Sequence, residues 1–152
     1  MPPRATTDAL IRLRRAEEHE ATRALERARV AVERTRLARD RAASAHAGLR
    51  ERLLRLHAAS ARTAGALGLR DSYRAQLRAQ LDGASARVEA TARALGEAGR
   101  ALDDAQRQVE QALRAREAAE AQRDAEDKAE ARRRERRDQA ANDDRWRPPR
   151  RS

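Results

Sequence analysis

The sequence predicts an all-α fold in which two long helices form an antiparallel coiled-coil hairpin with a C-terminal helical overhang. Hydrophobic and charged residues each make up 39% of the 152 residues, and phenylalanine is absent, so the chain cannot fill an ordinary globular core. No proline occurs between Pro3 and Pro148, so the strongest helix breaker is missing from this length. In the second half, leucine and valine recur every seven residues, which is the pattern of a coiled coil.

The element boundaries are predicted from helix-breaking and helix-capping residues. Two prolines precede Thr7 and Asp8, either of which could cap the first helix. Glycine, serine and threonine are concentrated between residues 60 and 72, which predicts a turn. We therefore expect a disordered N-terminus (1–7), helix 1 (8–60), a connecting turn (61–71), helix 2 (72–145) and a disordered tail (146–152).

Helix 2 carries the clearest signal of helix pairing. One row of its residues is strictly seven apart and large: Leu81, Val88, Leu95, Leu102 and Val109. A companion row of mostly small residues begins at Leu77 and includes Ala84 and Ala105. A strict seven-residue repeat imposes a left-handed supercoil, and disordered chains have no reason to keep such a register. These two rows are the predicted coiled-coil seam.

Helix 1 has a broader apolar stripe. One row consists of Ala28, Thr35, Ala42, Leu49 and Leu56. Its companion is either Ala31, Ala38 and Ala45, or Leu25, Val32, Arg39, His46 and Leu53. Pairing the helices about a centre near residue 66 leaves everything beyond about residue 125 without a partner. The pattern leaves open whether the seam pairs within one chain or between the chains of a homo-oligomer.

The sequence gives no sign of catalysis. The three histidines are separated along one helix and have no ligand-spaced partners, and cysteine is absent. Long helices offer no concave pocket in which paired carboxylates could act. We expect a non-enzymatic protein with no catalytic residues, no cofactor and no metal. No apolar run approaches the length that spans a bilayer, so we expect a cytoplasmic protein.

Three features could bind a partner, and the net charge of +10 raises the question of nucleic acid. Arg27, Arg34 and Arg41 recur at heptad spacing on helix 1. The other two features lie at the C-terminus, and their residues are Arg132, Arg133, Arg134, Arg136, Arg137, Asp143, Asp144 and Trp146. No base-reading element accompanies the arginines, so nucleic acid is not expected as a specific partner. The alternatives are a generic oligomeric coiled-coil scaffold and a basic helix that binds nucleic acid non-specifically.

The chain resembles a known family along nearly its whole length. The second helix opens with Ser72-Tyr73-Arg74-Ala75-Gln76-Leu77, and the chain ends in an Arg/Glu-rich run followed by Asp143-Asp144. Together with the predicted hairpin, these features are similar to the small stalk proteins of bacterial type III secretion systems (the FliJ/YscO type). The high arginine and alanine content looks most like versions from plant-pathogen systems, which implies a role in virulence.

The resemblance implies a coiled-coil stalk that links the export ATPase to the export gate and hands over secretion chaperones. It implies that residues 9–24 and 116–138 meet the ATPase ring and that residues 49–81 face the gate. It also implies a protein that is peripherally associated with the inner-membrane secretion apparatus. Flagellar and injectisome systems are equally compatible with the sequence.

Overall fold

A computed structural model describes residues 4–59 and 64–148. The described residues form two helices, α1 (Arg4–Ala58) and α2 (Ala64–Arg145), and 97% of them are helical. The two helices pack against each other, and no strand occurs in these ranges. The predicted fold class, two long helices in an all-α hairpin, is confirmed.

The helix boundaries differ from the prediction at both ends of the predicted turn and at the N-terminus. Helix α1 begins at Arg4, so Thr7 and Asp8 lie inside it and do not cap it. Helix α2 begins at Ala64, so residues 64–71 are helical although they were predicted to be a turn. Residue 60 of the predicted helix 1, residues 61–63 of that turn, 1–3 of the predicted N-terminus and 149–152 of the predicted tail lie outside the described residues.

A long-range contact joins the first turns of α2 to the end of α1. The Arg70 guanidinium donates hydrogen bonds to the carbonyl oxygens of Leu56 (2.7 Å) and His57 (3.0 Å) at the end of α1. The last carbonyls of a helix lack partners within the helix, so Arg70 satisfies two of them. Single glycines in a helix cost only about 1 kcal/mol relative to alanine. The glycines of this segment therefore do not prevent the helix from forming.

The chain divides into two compact units. The central unit comprises Ala24–Gln106, and the terminal unit comprises Met1–Arg23 together with Arg107–Ser152. In the central unit, Arg70 contacts the end of α1, and in the terminal unit Thr7 contacts Glu126. Residues 38–45 of α1 share a groove with residues 87–91 of α2 in the central unit, and Arg4 contacts Glu130 while Glu18 contacts Arg116 in the terminal unit. Higher residue numbers on α1 thus meet lower numbers on α2, so within each unit the two helices of the chain are antiparallel.

The core of the central unit is a narrow line of residues between the helices. Its most buried members are Leu77 (2% exposed) and Ala84 (3% exposed). These belong to the companion row of small residues, whereas Leu81, Val88 and Leu95 in the row of large residues are only half-buried. Alanine lets the helix axes approach closely, so the small row lies deepest. Leu102 and, in the terminal unit, Val109 are also half-buried.

On α1, the structure distinguishes the two rows that the sequence left open. Ala31, Ala38 and Ala45 are exposed. In the alternative row Leu25 is buried, while Val32, His46 and Leu53 are half-buried and Arg39 is exposed. The row of Ala28, Thr35, Ala42, Leu49 and Leu56 is half-buried throughout. The face of α1 that packs against α2 therefore consists of the row that begins at Leu25 and the row that begins at Ala28.

Candidate partner-binding site

The terminal unit has a seam in which charged residues replace aliphatic ones. The row that contains Val109 continues at seven-residue spacing through Arg116, Arg123 and Glu130, and all three are half-buried. In the neighbouring row, Ala119 is only 4% exposed. Alanine thus still fills the narrow part of the interface, and ion pairs occupy the positions that leucine and valine hold in the central unit.

Two polar contacts cross this seam at its centre. The Thr7 side chain is 1% exposed, and its hydroxyl donates a hydrogen bond of 3.0 Å to a carboxylate oxygen of Glu126. Arg116 Nε lies 3.1 Å from Glu18 Oε2, with both side chains less than a third exposed. The Arg116 N–H has no aligned hydrogen-bond acceptor, so this is a charge contact rather than a directed hydrogen bond. An outer pair, Arg15–Glu120 at 3.0 Å, lies beside them.

A network of charges joins the start of α1 to α2. Arg123 contacts Asp8 at 2.7 Å and Asp127 at 2.9 Å, and its side chain is only 17% exposed. Arg4 contacts Asp127 at 3.2 Å and Glu130 at 3.7 Å. The alternation of cation and anion lets each charge have an opposite neighbour, which a half-buried charge requires.

These contacts correct the predicted start of the overhang. The sequence placed it at about residue 125, but α1 begins at Arg4 and therefore reaches Asp127 and Glu130. Every residue from 131 to 148 is exposed. We call residues 131–148 the C-terminal extension. It is helical to Arg145, and the predicted disordered tail at 146–152 is described only as far as 148.

Glu130 marks the point where the extension begins. Arg134 donates a hydrogen bond of 2.5 Å to its carboxylate. This bond and the charge of Arg134, together with the charges of Arg4 and Arg123, hold the pKa of Glu130 below its ordinary value. Arg134 therefore has a contact within its own helix, and its role in partner binding stays a prediction.

The remaining arginines of the run form a cationic face. Arg132 with Arg136, and Arg133 with Arg137, are four residues apart and so lie on two adjacent rows of α2. All four are exposed, and none has an ion pair with any other residue of the described ranges. Such a face offers several guanidinium groups for carboxylates on one side of the helix.

The helix ends in a turn that presents the tryptophan. The backbone N–H of Trp146 donates a hydrogen bond of 3.3 Å to the carbonyl of Asp143, which closes the turn after Arg145. The Trp146 side chain is 87% exposed. Asp143 is exposed, and Asp144 lies 3.9 Å from Arg147. An exposed indole next to charged groups has the character of an interface anchor.

Sequence reasoning missed the charged seam of the terminal unit. The row of large residues in the predicted seam ends at Val109, so that row does not include the charged positions that follow it. The signal was available, because Arg116, Arg123 and Glu130 keep the seven-residue spacing of the row before them. Sequence reasoning also missed that Val30 and Leu37 are exposed.

The described ranges contain no group of three or more histidine, cysteine or acidic residues that could hold a metal ion. Nor does either helix have, in these ranges, an apolar stretch long enough to cross a membrane. The fold and the extension define a helical hairpin protein with one charged, unpaired helix end. The chain matches no protein-family model, no curated protein and no solved structure.

Proposed function

We propose that this protein is a non-enzymatic coiled-coil component of a bacterial type III secretion apparatus. In this role it is a stalk between the export ATPase and the export gate and supports protein secretion. The observation that carries the proposal is a helical hairpin whose second helix continues past the first as an exposed, arginine-rich extension. The resemblance of the sequence to the FliJ/YscO-type stalk proteins supports the same role.

In this proposal the C-terminal extension is the docking element for the ATPase. Its cationic face (Arg132, Arg133, Arg136 and Arg137) pairs with carboxylates of the ATPase, and Trp146 becomes buried in the interface. Charge-assisted arginine contacts are stronger than neutral hydrogen bonds, and a buried tryptophan is among the most effective interface anchors. Arg134 keeps its contact with Glu130.

The proposed orientation places both chain ends at the ATPase ring and residues 49–81 toward the gate. Charged contacts hold the start of α1 to α2 next to the extension. The C-terminal extension therefore directly follows the part of the terminal unit in which ion pairs join α1 to α2. The protein would act on the cytoplasmic side of the inner membrane, where it would also hand over secretion chaperones.

The experiment compares two fourfold charge reversals. In the first, Arg132, Arg133, Arg136 and Arg137 are changed to Glu. In the matched control the same change is made at exposed arginines of the central unit that have no ion pair in the described ranges: Arg50, Arg52, Arg78 and Arg93. Co-purification with the export ATPase and a secretion assay are the measurements, and circular dichroism checks that each variant is folded.

We expect the first variant to lose ATPase binding and secretion and the control variant to keep ATPase binding. Folding should be unaffected in both, since none of the eight residues is buried. A folded extension variant that binds and secretes like the native protein would refute the docking role.

Trp146 provides an independent measurement because it is the only tryptophan of the chain. On addition of the ATPase, its fluorescence should shift to shorter wavelength as the indole leaves water. A Trp146→Phe variant measures the emission of the ATPase alone, which is subtracted. Binding without any such shift would exclude Trp146 as the anchor.

A further inference from the structure

The outer face of α1 in the central unit carries an apolar surface away from the seam. Val30 and Leu37 are each 55% exposed. They are seven residues apart and, in the heptad that places Leu25 and Ala28 on the seam, they occupy the position farthest from α2. A scattered exposed aliphatic residue is ordinary, but two at heptad spacing form a stripe.

The charge on the two sides of this stripe differs. On one side, Glu26 pairs with Arg29 at 2.7 Å and Glu33 pairs with Arg36 at 3.3 Å, so that side is neutralised within the helix. On the other side runs the row of Arg27, Arg34 and Arg41. Arg34 and Arg41 have no ion pair with any residue in the described part of the chain. Arg34 and Arg41 therefore border the stripe with positive charge that the described part of the chain does not compensate.

Beyond the arginine row lies a shallow groove of about 420 Å³ between α1 and α2. Small side chains dominate its lining, and Arg41 and Arg87 also contribute to it. Its other lining residues are Ala38, Ala42, Ala45, Ala90 and Thr91. Because alanine projects only a methyl group, the backbone of an added helix could approach both helices closely here.

We propose that this surface binds an acidic amphipathic helix of a partner protein, which becomes the third helix of a local three-helix bundle. The surface consists of the Val30–Leu37 stripe, the row of Arg34 and Arg41, and the alanine-lined groove with Arg87. Apolar residues of the partner helix cover the stripe and the groove. Its carboxylates meet the uncompensated guanidinium groups.

Charge complementarity selects the acidic partner over a second copy of this chain. A second copy that docks by the same face brings its own Arg34 and Arg41 against these arginines, and like charges across an interface are unfavourable. An acidic helix gains from both the apolar and the charged part of the surface. The proposal rests on the central unit alone and does not depend on the stalk role.

The test uses a synthetic 28-residue helical peptide with leucine at the core positions of four heptads and glutamate at the flanking positions. The peptide carries a fluorescent label, and its anisotropy is measured as the full-length protein is added. Two variants probe the surface: Val30→Gln/Leu37→Gln and Arg34→Glu/Arg41→Glu. Two matched controls change other exposed residues of the central unit: Leu54→Gln/Leu69→Gln and Arg78→Glu/Arg93→Glu.

We expect saturable binding to the native protein, at least tenfold weaker binding to each surface variant and less than a twofold change for each control. A peptide with lysine in place of glutamate should bind at least tenfold more weakly, as should a scrambled peptide of the original composition. The tenfold loss in the aliphatic variant distinguishes this surface from general attraction between opposite charges.

Three results would overturn the proposal. The first is no saturable binding, and the second is equal weakening in a surface variant and its matched control. The third is sedimentation showing that the native protein dimerises through this face, with the dimer lost in Val30→Gln/Leu37→Gln, because a second copy would then be the occupant. A surface variant that loses peptide binding but still supports secretion would contradict neither proposal. The fourfold extension variant separates them in the other direction if it stops supporting secretion but still binds the peptide.

Discussion

Truncation of Leu77 is the most direct test of the hairpin. Its side chain is 2% exposed, the most deeply buried large residue among the described ones. Leu77→Ala removes nearly all the apolar contact of one leucine and leaves a cavity between two helices, at a cost of about 3 kcal/mol in the free energy of unfolding. For a chain of this size, such a loss lowers Tm by about 6–12 °C.

The measurement is the circular dichroism of the helices during thermal and urea unfolding. The matched control is Leu69→Ala, because Leu69 is 76% exposed on the same helix and its truncation should change stability by less than about 0.5 kcal/mol. Equal destabilisation by the two substitutions would refute the assignment of Leu77 to the interface between the helices.

Three further predictions concern charges and glycine. The pKa of Glu130 lies below its ordinary value, so its stabilising contribution is present above the unfolded pKa of about 4.3 and is lost as the pH falls through the folded pKa. Carbon-13 NMR of the carboxyl should show this, and Arg134→Ala should raise that pKa; an ordinary value in the native protein would contradict the contact. Gly83→Ala should increase the free energy of unfolding by about 0.5–1 kcal/mol in urea titrations, since the added methyl group meets nothing within 4 Å and glycine weakens a helix. A decrease would contradict the open space next to Gly83. Arg123→Ala should accelerate amide hydrogen exchange in residues 4–23 more than in the central unit, and unchanged exchange would exclude Arg123 as a clamp on the start of α1.

The fold class could be predicted because it depends on patterns that persist over many residues. A heptad row sustained from Leu81 to Val109 has only one common structural explanation, and the lack of large core residues excludes a globular domain. The ends of the helices could not be predicted in the same way. They depend on contacts distant in sequence, namely Arg70 with the last carbonyls of α1 and Arg4 with the acids of α2.

The candidate site was predictable in part. The exposed arginines of the extension are apparent from sequence because a dense charged run after the last leucine favours a solvated helix. The contact of Arg134 with Glu130 could not be predicted from the sequence. A long arginine side chain can reach more than one neighbouring acid on its helix, and the sequence alone does not say which one it binds. The exposure of Val30 and Leu37 depends on whether the row of Leu25 or the row of Ala31 faces α2. Only the packing of the two helices decides between these rows.

The charged seam of the terminal unit also affects which chains can pair. In a parallel, in-register dimer of α2, each seam residue would face the same residue of the second molecule. Two facing leucines pack well, whereas two facing like charges repel each other. Arg116 would meet Arg116, and Arg123 would meet Arg123, with no carboxylate between them. In the antiparallel arrangement within one chain, the same two arginines meet Glu18 and Asp8. We therefore expect the aliphatic seam to stabilise the packing of α1 against α2. We expect the charged seam to disfavour parallel pairing of α2 with a second molecule.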